Sequence, residues 1–280
     1  MKPVIRVLSL GAGVQSTTVA LMSALGELDR LDACIFADTG WEPREVYEHL
    51  AWLEAQMADA DIPVHRVSNG DIRRDALDPD HRFASMPLFV RRPDGRRGMI
   101  RRQCTSEYKI KPIERRLREL AGLKPRQRCD DVLVEQWLGI SWDEVRRMSD
   151  PSFPWIAKRY PLIDLRMTRR DCHRWLLDHG VNAPRSACVG CPFRRDHEWR
   201  HLRDTDPAGW ADAVEFDRLI RSGHTARAGQ QQQLLGEAYL HESLVPLDEV
   251  DLTTPEDRGQ LVLIELDVAD ECGMSCGNAP

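Results

Sequence analysis

Residues 1–22 read MKPVIRVLSLGAGVQSTTVALM, and the fold turns on how this stretch is read. Val4 to Leu8 is a short apolar run of strand type, Ser16 to Leu25 carries apolar residues at helical spacing, and Gly11, Ala12 and Gly13 lie between them. A glycine-rich turn between a strand and a helix lets backbone N–H groups approach a phosphate at the positive end of the helix. The pattern continues outward. Asp32 to Phe36 reads as a second strand ending at a turn, Glu42 to Ala58 as a helix with Val46, Leu50, Leu53 and Met57 on one face, and IPVHRVS as a third strand. Strands separated by helices predict an α/β fold, a doubly wound parallel sheet with helices on both faces. Ligands of such sheets sit beyond the carboxyl ends of the strands, where the loops at Gly11 and Asp38 fall. Candidate nucleotide contacts are therefore Ser9, Gly11, Ala12, Gly13, Gln15, Ser16 and Thr17, with Asp38, Thr39 and Gly40 at the neighbouring strand end.

The chain has 280 residues, 42% of them hydrophobic, enough for one large core or for a core with a smaller appended lobe. Its formal net charge of −6 argues against a general polyanion binder. There is no apolar run of membrane-spanning length, and VIRVLSL reads as strand and not as a leader, so a cytoplasmic protein with no membrane partner is expected. Eight cysteines in that compartment point to metal or thiol chemistry over structural disulfides.

Residues 71–102 are polar and turn-rich, with Pro87, Pro93 and the pair Asp94 and Gly95. From Arg91 to Arg128 there are fourteen Arg or Lys against four Asp or Glu, an excess of ten positive charges. Arg115, Arg116 and Arg118 fit a solvated helix face, whereas Arg91, Arg92, Arg96, Arg97, Arg101 and Arg102 are expected to face an anion. Beyond Cys129, DVLVEQWLGI reads as a strand, YPLIDL follows a turn, and a helix starts near Thr168 with Asp171 at capping-box spacing. RSACVGCPFR is a tight cysteine turn, followed by helical stretches around Trp199 and from Trp210 to Ile220. Gln230 to Gln233 carry no functional reading, and QLVLIELDV is read as a last strand. Residues 1–192 are expected to form the nucleotide-binding domain with a basic insertion near 71–128, and 193–280 a helical region with a cysteine-bearing tail.

Cys188 and Cys191 form C-x-x-C, a spacing that lets two thiolates on one turn bind the same metal or cluster. A second such pair, which zinc would want, does not occur. Cys104 in RRQCTSEYKIKP lies among arginines that stabilise a thiolate, suiting either a ligand or a nucleophile. Cys34, Cys129 and Cys172 are expected to be buried structural residues.

The order of GAGVQST, DTG, CT followed by YKIKPI, GISWDEVRR, YPLID, CVGC and a terminal ECGM resembles the phosphoadenosine and adenosine phosphosulfate reductase family. That family lies within the adenine nucleotide alpha hydrolase-like (HUP), PP-loop group, and the likeness spans nearly the whole chain. GAGVQST is similar to the ATP pyrophosphatase loop SGGxDS, with Gln15 where those enzymes have aspartate. The resemblance implies that Arg101 and Lys109 join the nucleotide site and that Cys104, Cys188 and Cys191 hold a [4Fe–4S] cluster. It also implies that Cys272 attacks the sulfate sulfur. Gln103 precedes Cys104, so the double cysteine of the family is missing. Cys276 is then available as fourth ligand, or one iron stays open. Ser141 stands near where the reductases have an arginine, with Arg146 and Arg147 close by.

The leading expectation is thiol attack on nucleotide-bound sulfur, with ATP or a phosphosulfate as nucleotide, Mg2+ allowed beside it, and an external thiol or electron donor. A second enzyme reading is ATP-dependent adenylation and thiolation of a nucleic acid, through residues 91–128, or of a small molecule. A third is a non-catalytic nucleotide-binding iron–sulfur sensor or subunit. A homodimer is compatible with each.

Overall fold

The computed structural model describes residues 4–78, 80–81, 86–221, 236–253 and 257. In chain order the strands are β1 (Ile5–Leu10), β2 (Ala33–Asp38), β3 (Val64–Ser68), β4 (Phe89–Arg91), β5 (Arg97–Met99), β6 (Val134–Leu138), β7 (Ile156–Arg159) and β8 (Glu237–Tyr239). The α-helices are α1 (Val14–Ala24), α2 (Arg44–Asp59), α3 (Ile72–Leu77), α4 (Lys111–Leu120), α5 (Pro161–Asp164), α6 (Arg169–Asp178), α7 (Asp196–Thr205) and α8 (Pro207–Ile220). Five strands form a wholly parallel sheet in the order β3-β2-β1-β6-β7.

Alternation along the strands divides the side chains between two cores. Leu8, Leu10 and Phe36 pack with Val19, Leu50, Met57 and Leu176, burying the apolar faces of α1, α2 and α6. Val7, Ile35 and Val134 pack on the other face with Ile113, Leu117 and Trp155, which seats α4. The helix face foreseen at Val46, Leu50, Leu53 and Met57 is fully buried, and the Thr168–Asp171 capping box forms at the start of α6.

The strand order reverses between β1 and β6. Their register, with Ser9 opposite Leu138, sends the Gly11–Gly13 loop and the Gly139–Ser141 segment out of the sheet side by side. A crevice at this topological switch point is the expected ligand position in an open α/β sheet.

Three local assignments differ from the sequence reading. IAKR at residues 156–159 is an edge strand, which its half-buried Lys158 and Arg159 hid from an apolar-pattern search. YPLID contributes a short helix, α5. The polar stretch 71–102 holds α3 and a β4–β5 hairpin that turns at Asp94 and Gly95, and β4 pairs antiparallel with β8 in a second, three-stranded sheet. Strands of three residues carry no readable periodicity, and their partner lies far along the chain.

A third core joins this stretch to the helices beyond residue 193: Ile72, Met86 and Leu88 pack with Trp41, Val189, Trp199 and Phe216. The Gln230–Gln233 run and the QLVLIELDV strand lie outside the described residues. Among the described residues no helix is long and apolar enough to cross a membrane.

Candidate functional site

The Gly11–Gly13 loop joins β1 to α1, as the sequence suggests. Gly13 caps α1 in an extended conformation, and the backbone N–H groups of Gly11 and Gly13 both donate to Ser16 Oγ, at 3.2 and 3.3 Å. Two amides thus aim at one oxygen position at the N-terminus of an eleven-residue helix, the arrangement that holds a phosphate oxygen. Ala12 lies between them at φ 56°, a left-handed conformation that favours glycine. Gly139 closes the loop from the β6 side: a Cβ there would lie 2.9 Å from Ser16 N and 3.1 Å from the Gln15 carbonyl carbon, so only glycine permits this backbone contact. From above, Ser186 Oγ donates to the Gly11 carbonyl.

Not every predicted contact faces the loop's amides. Ser9 is buried and accepts from Gln136 Nε2 at 2.8 Å, tying β1 to β6. Thr17 Oγ1 lies 3.0 Å from His49 Nε2 on α2. Gln15, only 1% exposed, is held by three residues: its Nε2 donates to Glu144 Oε2 (3.0 Å) and Ser141 Oγ (3.4 Å), and its Oε1 accepts from Arg169 at 3.1 Å. Arg147 pairs with the same Glu144. Gln15 is therefore the hub of a buried network, which no local sequence signal announces.

His49 yields a pH prediction. Burial lowers its pKa from 6.5 to about 4, so the folded protein keeps it neutral where the unfolded chain would take a proton. Its contribution is fully present above pH 6.5 and is lost as pH falls from 6.5 towards about 4. Because the ring is partly exposed, the loss should be about 2 kcal/mol and not the full shift. Denaturant unfolding at the two ends of that window should show it, and His49→Gln should flatten the dependence. An equal slope in the variant would assign the loss to other groups.

At the next strand end, Asp38 Oδ1 accepts from the Gly40 amide and from Tyr47 Oη, both at 2.8 Å. Burial first, and then this carboxylate, push the Tyr47 phenol well above its ordinary pKa. Thr39 Oγ1 donates to Glu42 Oε1 (2.8 Å) and lies 3.3 Å from Cys188 Sγ, while Cys188 Sγ donates to Glu42 Oε1 at 3.5 Å. The cysteine turn therefore sits against the end of β2.

Cys188 and Cys191 are buried on one turn, with Cys191 N–H donating to the Cys188 carbonyl at 3.1 Å. Gly190 between them meets the Trp41 ring so closely that a Cβ would lie 2.2 Å from it. Buried Arg194 donates to the carbonyls of Ala187 and Cys188 (2.9 and 3.1 Å) and lies over the Trp199 ring. Burial lowers its pKa, and Cys191 and Cys188 beside it oppose that shift.

Cys104 is half-buried against the third core and starts a π-helical turn, Thr105–Ile110. Pro112 explains the turn: it cannot donate to the carbonyl four residues back, and the wider Lys111 N–H to Ser106 carbonyl bond forms instead. Lys109 is buried in this turn, which packs beside β2, whereas Arg101 is exposed.

Among the described residues no three His, Cys, Asp or Glu side chains come together as a metal-holding group, so the cysteine pair does not complete a site by itself. Cys272 and Cys276 lie outside the described residues. Cys34 and Cys172 belong to the first core, where burial pushes both thiols up to about 12, as expected for structural residues. Cys129 is only partly buried.

The arginines expected to face an anion are mostly engaged within the chain. Arg91 pairs with Glu237 (3.4 Å), Arg97 with Glu242 (3.3 Å) and Arg96 with Asp94 (3.7 Å), while Arg102 lies over the Phe193 ring. Their partners are mostly distant in sequence, which a local charge tally does not register.

Glu42, Gly139, Glu144, Arg169, Ser186 and Arg194 were not singled out from the sequence, though Gly139 and Glu144 lie inside GISWDEVRR and Ser186 and Arg194 inside RSACVGCPFR. No protein-family model matches this chain, and neither does any curated protein.

Proposed function

We propose that this chain binds an adenine nucleotide in the manner of the HUP, PP-loop group and carries out sulfur chemistry on it as a phosphosulfate reductase-like enzyme. One observation carries the reading: the cysteine turn and the phosphate loop are joined. Ser186 bonds to Gly11, and two residues later Cys188 touches Thr39 at the end of the neighbouring strand. A sulfur atom on a nucleotide held by the Gly11 and Gly13 amides would lie on the side of the sheet where the buried thiols sit.

In this reading the Gly11 and Gly13 amides take a phosphate or sulfate oxygen in place of Ser16 Oγ, and Lys109 adds positive charge from beside β2. Two features suit the cysteine turn to a [4Fe–4S] cluster. Arg194 supplies a buried cation next to two thiols, and the buried donors Thr105 Oγ1 and Trp199 Nε1 have no hydrogen-bond partner among the described residues. Cys188, Cys191 and Cys104 would be ligands, with Cys276 as the fourth, and Cys272 would be the nucleophile. A cluster held by thiolates would be net anionic, and the buried Arg194 guanidinium would offset that charge.

The test is an anaerobic incubation of iron-reconstituted protein and excess dithiol reductant with phosphosulfate or with ATP, assayed for sulfite and pyrophosphate. Cys272 would displace the nucleotide phosphate and hold the sulfonate, and the dithiol would release sulfite as it is oxidised to a disulfide. Sulfite from the phosphosulfate is expected. Gly13→Val should lower nucleotide affinity about a hundred-fold or more, because a branched side chain fills the phosphate approach. Pyrophosphate from ATP with no sulfite would transfer the assignment to adenylation. Nucleotide binding without either product would leave the sensor. If Gly13→Val binds as tightly as wild type, the nucleotide site is elsewhere.

A further inference from the structure

The short turn Trp142–Arg147, two 3-10 turns that kink at Glu144, has two unlike faces. Ser141, Glu144 and Arg147 point inward to the Gln15 network. Trp142, Val145 and Met148, which alternate with them along the chain, are turned to solvent instead. They stand 46%, 46% and 44% exposed. Leu165 extends this face, since the Trp142 amide bonds to the Met167 carbonyl at 2.8 Å and the Arg166 guanidinium lies 5.9 Å from the centre of the Trp142 ring. An apolar patch beside a ligand cleft marks an interaction site.

Charge says what covers it. Arg146, Arg166 and Arg170 are exposed around this face, and among the described residues none of them forms an ion pair with a carboxylate. Of the acidic neighbours, Asp143 accepts the Arg169 amide at 3.1 Å, Asp164 pairs with Arg159 at 3.5 Å, and Asp171 bonds to Thr168 and pairs with Arg174 at 3.8 Å while Arg170 acts on it from further off. In contrast, Arg91, Arg96, Arg97 and Arg116 each have a carboxylate partner. A positive rim around an exposed indole selects a polyanion with aromatic faces. A second copy would set the same arginines against one another.

We propose that this face is a stacking platform for single-stranded nucleic acid, with a base on the Trp142 indole and the backbone phosphates on the arginine rim. The proposal goes beyond the nucleotide-site reading and uses none of its residues.

Fluorescence anisotropy of a labelled oligothymidylate of about a dozen nucleotides, titrated with the full chain, tests it. Binding should be measurable at about 50 mM salt and weaken steeply towards about 200 mM. Trp142→Ala should cost about ten-fold or more in affinity, and Trp142→Phe should restore most of it, because stacking needs only a ring. Changing Arg146, Arg166 and Arg170 together to Gln should flatten the dependence of log affinity on log salt by about two. All these side chains are exposed, so melting temperatures should stay at the wild-type value.

The proposal is overturned if the wild type fails to bind the oligonucleotide at the lower salt, or if the duplex with oligoadenylate binds as tightly as the single strand. It is equally overturned if Trp142→Ala binds like wild type, or if sedimentation reveals a dimer that Trp142→Ala dissociates, which would make the face a contact between copies. Gly13→Val that loses nucleotide but keeps the oligonucleotide leaves it standing, so this proposal and the nucleotide reading fail separately.

Discussion

Gly139→Ala is expected to lower the affinity for nucleotide about a hundred-fold and to destabilise the fold by about 1–3 kcal/mol. The added Cβ would lie 2.9 Å from Ser16 N, 3.0 Å from Ser16 Cα and 3.1 Å from the Gln15 carbonyl carbon. All three are backbone atoms in the first turn of α1, so no side-chain rotation relieves the overlap. The helix start must move away from β6. That displaces the Gly11 and Gly13 amides from their common oxygen position and breaks the bonds from Gln15 to Ser141 and Glu144. Two hydrogen bonds to an anion, at about 1.5 kcal/mol each, account for the affinity loss. Calorimetric titration and thermal melting check the two parts. A variant that melts and binds like wild type would mean that the β6–α1 junction does not shape the pocket.

Asp217→Ala should destabilise the fold more than Gly139→Ala does, by about 3–5 kcal/mol, or roughly 10 °C in melting temperature. Asp217 is buried on α8, where its Oδ1 accepts from the Leu240 amide at 2.7 Å and its Oδ2 from the Leu247 amide at 3.0 Å. The same carboxylate pairs with Arg221, whose guanidinium stacks 3.6 Å from the centre of the Tyr239 ring. Burial raises the Asp217 pKa, and the two amides and Arg221 pull it back down. Removing the carboxylate strands a cation and two backbone donors in the interior. Asp217→Asn, which keeps one acceptor oxygen, should lose less. The damage should reach the cysteine turn, because Val189 and Cys104 pack in the core that Asp217 anchors. Equal melting temperatures for Asp217→Ala and the wild type would contradict this account.

The two predictions mark different depths of legibility. The strand–loop–helix at Gly11–Gly13 was readable because a strand, two glycines and a helix are contiguous, and each declares itself through periodicity or turn chemistry within a few residues. The contribution of Gly139 was not, since it depends on which strand lies beside β1, and β6 arrives only after the long 69–133 excursion. Asp217 looked like any charged residue on a helix until its partners at 240 and 247 were in place. The pairing within the basic stretch 91–128 was hidden for the same reason: its charge excess is a true count, but Glu237 and Glu242 come from far along the chain to meet Arg91 and Arg97.

The amino-acid sequence alone determined the strand-loop-helix at residues 5–24, the buried face of α2, the capping box at Thr168 and the turn at Cys188–Cys191. All of these rest on interactions between near neighbours, through alternation, helical spacing, a cap and a tight turn. Tertiary structure alone decided that Gln15 belongs to Glu144 and Arg169, that Cys188 meets Thr39 and Glu42, and that Trp142, Val145 and Met148 remain on the outside. Those outcomes are set by strand order and by packing between segments more than a hundred residues apart, where the satisfaction of a buried polar group depends on a partner that local spacing cannot name.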